Sequence, residues 1–490
     1  MRPLLAFLFI LSLPGALSAQ KAKADVFARI DAGRSAYDDL ALKIWDFAEV
    51  GYREHRSSAL LQERLRQEGF KVESGVAGIP TAFIASAGSG SPVIGVLAEF
   101  DALPGASQEA VPEKKPRPGA TAGHACGHHL FGAGAAQAAV AIKDWLRASG
   151  RSGTVRLYGT PAEEGGSGKV YLVRAGLFRD VDVALHWHPA DRNTIIMTPS
   201  LANRSGKFRF KGVSSHASSA PDRGRSALDG VEAMNHMVNL LREHIPETSR
   251  IHYVITRGGE APNVVPAFSE VYYYVRHPSR QVVRDVWDRV EKAATGAALG
   301  TGTTVEWEIT GGVYDLLPNE VLGRVMHANL EVVGGVIYDE AEREFAAKIG
   351  RTLLGKAPAP EVAALVPPFS PNPPRDGAGS TDVGDVSWTV PTVGVRTATW
   401  APGTPGHSWQ AVATSGTSVG TKGAVVAAKA MALTAAQLNA SDAIFAGLAD
   451  LEIAHADKPA VLAAIAATHW SDEALANGAL LDTLLARFAH

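Results

Sequence analysis

The only cysteine of this chain, Cys126, lies in "GHACGHH" at positions 123–129, with His124, His128 and His129 within three positions of it. A lone cysteine forms no intramolecular disulfide, so it serves as a buried apolar residue, a reactive thiol or a metal ligand. Three other clusters carry related chemistry. Glu163 and Glu164 are adjacent in "GTVRLYGTPAEEGG", His186 and His188 alternate in "VDVALHWHP", and His407 sits in "PGTPGHSW". Thiolate, imidazole and carboxylate together suit zinc, manganese or cobalt. Taken singly the clusters say little. Cys-x-His is more often structural, adjacent glutamates are usually a solvated pair, and lone histidines usually sit at the surface or in a satisfied core. What matters is that the four recur in the same setting.

That setting is the end of a buried strand. "PVIGVLAEFDALPG" runs apolar through Leu97 and ends at Asp101. The stretches before Glu163, before His186 and, at "PTVGVRT", before His407 read the same way. "LFGAGAAQAAVAIKDWLRASG" places Leu130, Ala138, Ile142 and Trp145 near helical spacing and stops at Gly150. Strands alternating with such helices predict a mostly parallel α/β sheet with helices on both faces, and ligands bind such sheets outside the C-terminal strand ends.

Residues 204–311 follow another pattern. "KFRFKG", "RIHYVIT", "SEVYYYVRH" and "TVEWEIT" read as strands. Between them lie helical stretches with Val231, Met234, Val238 and Leu241 on one stripe, and Val283, Val286 and Val290 on another. The order β-α-β-β-α-β is the ferredoxin-like unit. It interrupts the first domain, so the chain divides into a catalytic domain at 20–203 and 312–440, an inserted lid or dimerisation domain at 204–311, and an Ala/Leu-rich helical tail at 441–490. The Pro-rich stretch "APAPEVAALVPPFSPNPPRDG" reads as a loop.

A length of 490 residues suits two domains, and 46% hydrophobic with 20% charged residues suits a globular protein. With 47 basic against 50 acidic residues, nothing favours nucleic acid or an anionic membrane as partner. Arg2, the apolar run "LLAFLFILSL" and the small residues of "GALSAQ" read as a signal peptide over 1–19, cleaved near Ala19. The expectation is a periplasmic or secreted protein with no stable membrane anchor after cleavage.

Seven separated motifs, "AEFDALPG", "GHACGH", "TPAEEGG", "ALHWHP", "GVSSHASSAP", "PNVVP" and "GHS", resemble the two-metal amidohydrolase and aminoacylase-like metallopeptidase family, in order from about residue 30 to 435. "GSTDVGDVSW" is similar to the branch that contains the B-type component of p-aminobenzoyl-glutamate hydrolase. The resemblance implies two divalent ions in each protomer, Zn, Mn or Co. Cys126 would bridge them, with His128, Glu164, His186 and His407 as the other ligands. Asp101 would orient a ligand. The family has one histidine in "ALHWHP" where this chain has two; His186 matches, and His188, on the same strand face, is the alternate. Glu163 would be the general base and His216 the oxyanion donor, supplied to the other protomer's site in a homodimer or an assembly of dimers. Asn263 and Arg276 would hold a substrate carboxylate. His124 and His129 read as structural. Trp187, Trp388, Trp400 and Trp409 flank the motifs and could form an aromatic pocket or belong to the core.

The implied reaction is hydrolysis of a small amide bearing a carboxylate: an N-acyl amino acid, an aminobenzoyl-glutamate-like compound or a dipeptide. Two cations roughly 3.5–4 Å apart would activate the water, and Glu163 would take its proton and pass it to the leaving amine. A non-catalytic periplasmic binding protein of the same fold has no need for Glu163. A Cys126-nucleophile amidase would survive chelation.

Overall fold

The computed structural model describes residues 14–374 and 379–440. Helices α1 (Pro14–Phe47) and α2 (His55–Gln67) lead into strands β1 (Lys71–Ser74), β2 (Phe83–Ser89) and β3 (Val93–Ala98). Two short paired strands, β4 (Leu103–Pro104) and β5 (Ala122–Gly123), precede α3 (His128–Ser149). Then come β6 (Gly153–Gly159), α4 (Glu163–Gly166), α5 (Gly168–Arg174), β7 (Val183–Ala190) and β8 (Thr194–Ile195). After the inserted unit the chain adds further helices and β13 (Thr392–Ala398).

The main sheet has the order β1-β2-β6-β3-β7-β13-β8. Its centre, β6-β3-β7-β13, is parallel, and the flanking strands are antiparallel. Alternate side chains feed two cores on opposite faces, as the two-residue period of a strand requires. Ile94, Val96, Leu157, Leu185 and Trp187 face a core shared with α1, α3, α8 (Glu320–Val333) and α12 (Ser418–Asn439). Leu97, Tyr158 and Ala184 face a second core with α5 and α10 (Val383–Ser387). Each buried Leu or Val contributes about 1.5–3 kcal/mol, so the central strands are rigid supports. Helix α3 packs closely because small residues fill its length: a Cβ on Gly134 would meet the Trp187 ring at 3.1 Å.

The inserted unit runs β9 (Ala202–Lys211), α6 (Ala227–Leu241), β10 (Arg250–Arg257), β11 (Phe268–His277), α7 (Arg280–Thr301) and β12 (Thr304–Val313). Its antiparallel sheet has the order β10-β11-β9-β12, the ferredoxin-like arrangement. Val231, Met234 and Val238 of α6 and Val283, Val286 and Val290 of α7 close its own core with Phe208 and Tyr273. The stripes read in the sequence are therefore the buried faces.

Helix α1 begins at Pro14 and continues unbroken past the expected cleavage point near Ala19. The rest of the expected leader, and the tail at 441–490, lie outside the described residues. The Pro-rich stretch contains a 3-10 turn, Pro360–Ala364, preceded by α9 (Glu340–Gly350). Among the described residues no helix is long and apolar enough to cross a membrane.

Candidate metal centre and active site

The C-terminal ends of the four parallel strands and the first turn of α3 converge. Glu99 and Asp101 follow β3, Glu163 and Glu164 follow β6, His188 lies near the end of β7, and His407 follows β13. Cys126 and His128 flank the start of α3. Cys126 belongs to two groups of donor atoms, each lying within 4.8 Å of one another: one with His128 and His188, the other with Glu164 and His407. A soft sulfur donor shared between two such groups is placed where a ligand common to two cations would stand.

Local backbone chemistry makes this approach possible. Gly127 has φ 76°, and a Cβ there would lie 2.7 Å from Pro189 Cβ. Only glycine lets the Cys126–His128 turn press against the residue that follows His188. Ala162, just before Glu163, and His407 also have positive φ, 58° in each case, a conformation that costs a non-glycine residue and concentrates at functional sites. The His407 N–H donates to Ala125 O at 3.0 Å, which ties its loop to the cysteine turn.

Second contacts fix the ring tautomers. His128 Nδ1 donates to Asp101 Oδ1 at 2.8 Å, and His188 Nδ1 donates to Pro189 O at 2.7 Å. Each ring is thereby left with Nε2 as its ligating atom. His188 Nε2 lies 3.6 Å from Cys126 Sγ. The other Asp101 oxygen accepts from Glu164 N at 2.8 Å, so one buried carboxylate orients ligands of both groups. His407 Nε2 is 3.5 Å from Glu164 Oε1.

His186, the favoured ligand from the motif, is in neither group; the alternate, His188, takes that place. Both rings project from the same strand face, but one two-residue repeat is about 6.6 Å along a strand. His186 sits that much deeper, its ring against Gly394 of β13. Burial and the positive charges of Lys169 and Arg396 lower its pKa to about 3.

Electrostatics show what the site lacks without a cation. Burial and Glu164 push the Cys126 thiol well above the usual range. Burial disfavours a charged His128, but Asp101 and Glu99 outweigh it and raise its pKa well above that of free imidazole. Burial, then Glu99 and Glu164, raise the Glu163 carboxyl in the same way. His128 Nε2, Glu99 Oε2 and Glu164 Oε1 are buried with no hydrogen-bond partner, although the first two are only 3.1 Å apart. Misaligned donors, crowded carboxylates and a shared thiol fit divalent cations.

Sequence reasoning missed Glu99, Lys169 and Asp382. Lys169 is fully buried, and its Nζ reaches Glu99 Oε1 at 2.6 Å and Asp382 Oδ1 at 2.7 Å. Glu99, His128 and Glu163 form a third close group. The available signal was Glu99 itself, two residues before Asp101 and so on the same side of an extended chain.

Other expected residues lie elsewhere. His216 is exposed on the inserted domain, bridged to Val264. Its Nδ1 accepts from the N–H groups of Ser218 and Ser219, both at 3.3 Å, so the proton resides on Nε2. Asn263 is exposed nearby. Arg276 is on β11, beside Tyr274, with its Nε buried and unpartnered. None of the three belongs to the donor groups. Trp187 belongs to the core on the opposite face of β7 from the two histidines. Trp400 is buried, Trp409 at the start of α11 (Trp409–Ser415) packs against the core, and Trp388 joins the domains. His124 and His129 are structural, each bonded to a backbone carbonyl, of Ile44 and Ser415.

A mainly parallel α/β domain with two groups of metal-ligating donors that share Cys126, interrupted by a ferredoxin-like lid, fits a metal-dependent amidohydrolase of the peptidase type. Comparison with known proteins agrees. Residues 203–301 match the M20 peptidase dimerisation domain. The chain is 43% identical over 434 residues to the B-type component of p-aminobenzoyl-glutamate hydrolase from Escherichia coli (strain K12), covering 84% of this chain and 90% of that one. It is 31% identical to the Xaa-Arg dipeptidase of Mus musculus, covering 74% and 76% respectively. A solved structure from Bacillus subtilis, described as a dinuclear metal binding peptidase from the M20 family, shares the fold at TM-score 0.55 and 17% identity, covering 83% of this chain and 99% of that one. The chain belongs to the M20 family of dinuclear metal-dependent peptidases and amidohydrolases.

Proposed function

We propose that this enzyme hydrolyses the amide bond of a small N-acyl amino acid with a free carboxylate, an aminobenzoyl-glutamate-like amide first among them. The observation that carries the reading is Cys126, shared between a His128–His188 group and a Glu164–His407 group with Glu163 beside them. The 43% identity to a p-aminobenzoyl-glutamate hydrolase component supports the substrate class. The similarity to an Xaa-Arg dipeptidase keeps dipeptides as the second reading. Nothing favours the binding-protein alternative.

Two divalent cations, when bound, polarise the amide carbonyl and lower the pKa of water. Cys126, His128, His188, Glu164 and His407 would hold them, with Asp101 orienting His128 and Glu164. Glu163 takes the proton of the attacking water. It then delivers that proton to the leaving nitrogen. His216, with its proton on Nε2, would donate to the developing oxyanion. Since His216 is on the exposed part of the dimerisation domain, it would do so in the other protomer of a homodimer. Arg276 and Asn263 would receive the substrate carboxylate there. The apolar run at the N-terminus supports export to the periplasm or beyond.

The direct test is an activity screen of metal-loaded protein against aminobenzoyl-glutamate, N-acyl amino acids and Xaa-Arg dipeptides. Hydrolysis that persists after complete chelation would refute the reading. Mixing inactive His216→Ala with inactive Glu163→Gln tests the shared site. Random exchange of protomers should restore about a quarter of wild-type activity in a two-fold dimer. Heterodimers without activity would rule out a role in trans.

A further inference from the structure

Glu54 is a fully buried carboxylate that the catalytic reading leaves without a task. It stands at the N-terminal end of α2, yet its side chain makes no capping bond there. Glu49 does that work instead, accepting from Arg56 N at 3.0 Å and from Ser57 N and Oγ at 2.8 and 2.7 Å. The Glu54 carboxylate turns the other way. Its Oε1 accepts from Ala162 N at 2.8 Å and its Oε2 from the Thr81 hydroxyl at 3.1 Å. Ala162 is the residue before Glu163.

Two buried carboxylates thus hold the backbone on either side of Glu163. Glu54 takes the Ala162 amide, and Asp101 Oδ2 takes the Glu164 amide, each at 2.8 Å. The loop that carries Glu54 also closes on the rest of the turn. Tyr52 OH donates to Gly166 O at 2.6 Å, and Gly166 N donates to Ala162 O at 3.0 Å. A Cβ on Gly51 would lie 3.0 Å from Ala162 Cα, so the loop backbone lies directly against the turn.

The turn needs such support. Ala162 has φ 58° and ψ 41°, and Ser167 at the far end has φ 57° and ψ 44°, left-handed conformations that cost an L side chain free energy. A buried N–H without a partner adds to that cost. Without its acceptor at residue 54 the Ala162 peptide would favour another conformation, and Glu163 would move with it. Burial and the neighbouring Asp101 charge both work against a Glu54 carboxylate, and a residue that only filled this space would be apolar. We propose that Glu54 is a positioning residue for Glu163: it fixes the Ala162 peptide and so aims the general base at the attacking water. The inference rests on Glu163 being that base.

The test is kinetic, on the metal-loaded full chain, with aminobenzoyl-glutamate as substrate or the amide that the activity screen prefers to it. Glu54→Met should keep both cations by elemental analysis and KM within about threefold, and lose kcat by about ten- to a hundredfold. Glu54→Gln keeps a carbonyl oxygen for the Ala162 N–H, and its NH2 donates to Thr81, whose hydroxyl also accepts. Its kcat should stay within about threefold of wild type. Glu54→Asp keeps the charge but draws the acceptor back, and should lose kcat as Glu54→Met does; if Glu54→Met misfolds, Glu54→Asp carries the test alone and in the double variant. Adding Glu54→Met to Glu163→Gln should cost nothing further, because a residue that acts through the base has no effect once the base is gone. In chelated protein the Ala162 amide should exchange at least about tenfold faster in Glu54→Met and Glu54→Asp, with the amides of β6 unchanged. Wild-type kcat in both of those variants, loss of a cation in them, a Glu54→Gln as slow as Glu54→Met, or a further loss in the double variant would overturn the proposal. Activity retained by Glu163→Gln would overturn the base assignment, and the proposal with it.

Discussion

His188→Ala and His186→Ala differ by two residues on one strand face and should have opposite consequences. His188 stands in the Cys126–His128 group with Nε2 directed at Cys126 Sγ, 3.6 Å away, while its Nδ1 is held by Pro189 O. Losing a contact one step removed from a metal costs about 10–100-fold in affinity. Losing a ligand from a three-residue group should cost at least the upper end, about 100-fold or about 2.7 kcal/mol. His186 contributes to no donor group, and its ring fills space against Gly394. Its removal should change metal affinity by less than about threefold and instead lower folding stability by about 1–3 kcal/mol. The assay is titration of chelated protein with Zn²⁺ or Mn²⁺ against a chromogenic competitor, with thermal unfolding of the metal-free variants measured in parallel. A larger loss of affinity in His186→Ala, or equal losses in both, would refute the assignment of His188.

Glu163→Gln should retain both cations and lose turnover by about 10²–10⁴-fold, whereas Glu164→Gln should lose one cation; elemental analysis and rates on the two variants check the division. Gly127→Ala should destabilise the fold by about 1–3 kcal/mol, because φ is 76° and the new Cβ would lie 2.7 Å from Pro189 Cβ, and a melting temperature unchanged from wild type would contradict it. Metal affinity should rise with pH and fall as pH falls. Cys126 and His128 both have pKa values raised in the metal-free protein, so each holds its proton at neutral pH and must release it to a cation. Calorimetry of metal binding in two buffers of different ionisation enthalpy counts those protons, and identical apparent enthalpies would count none.

The parts of this site that could be read from the sequence are those whose chemistry is local. A buried strand ending in Glu-Glu or in Cys-Gly-His advertises itself because apolar periodicity stops where the polar groups begin. The ferredoxin-like order was legible for the same reason: strand-like and helical periodicities alternate without overlap. Depth along a strand is not local. His186 and His188 satisfy the same two-residue rule, and only the packing of β13 beside β7, with Gly394 opposite His186, decides which ring reaches Cys126.

The same limit hid the charges that hold the site from behind. Lys169 lies on a short helix and reads as a solvated residue, yet it is buried between Glu99 and Asp382, which come from the ends of segments far apart in the chain. Burial works against its charge, and the two carboxylates outweigh burial and keep it protonated. A buried ion network of this kind is a poor source of stability, since apolar residues of similar volume often serve as well, but losing one member costs about 3–5 kcal/mol. What it provides here is placement. With one Glu99 oxygen fixed by Lys169, the other is held 3.1 Å from His128 Nε2, inside the group that also contains Glu163. Asp101 restrains His128 by a hydrogen bond at Nδ1, while Glu99 Oε2 stands 3.1 Å from Nε2 without one, so the ring is oriented from the Nδ1 side before any cation arrives. Lys169→Met alone should therefore unfold or loosen the site by exposing two unpaired carboxylates to an apolar interior. The triple variant Lys169→Met, Glu99→Gln, Asp382→Asn removes every charge of the network and should fold, yet bind the cation at His128 more weakly. If the triple variant folds and holds both cations as tightly as wild type, the network does not position the metal ligands.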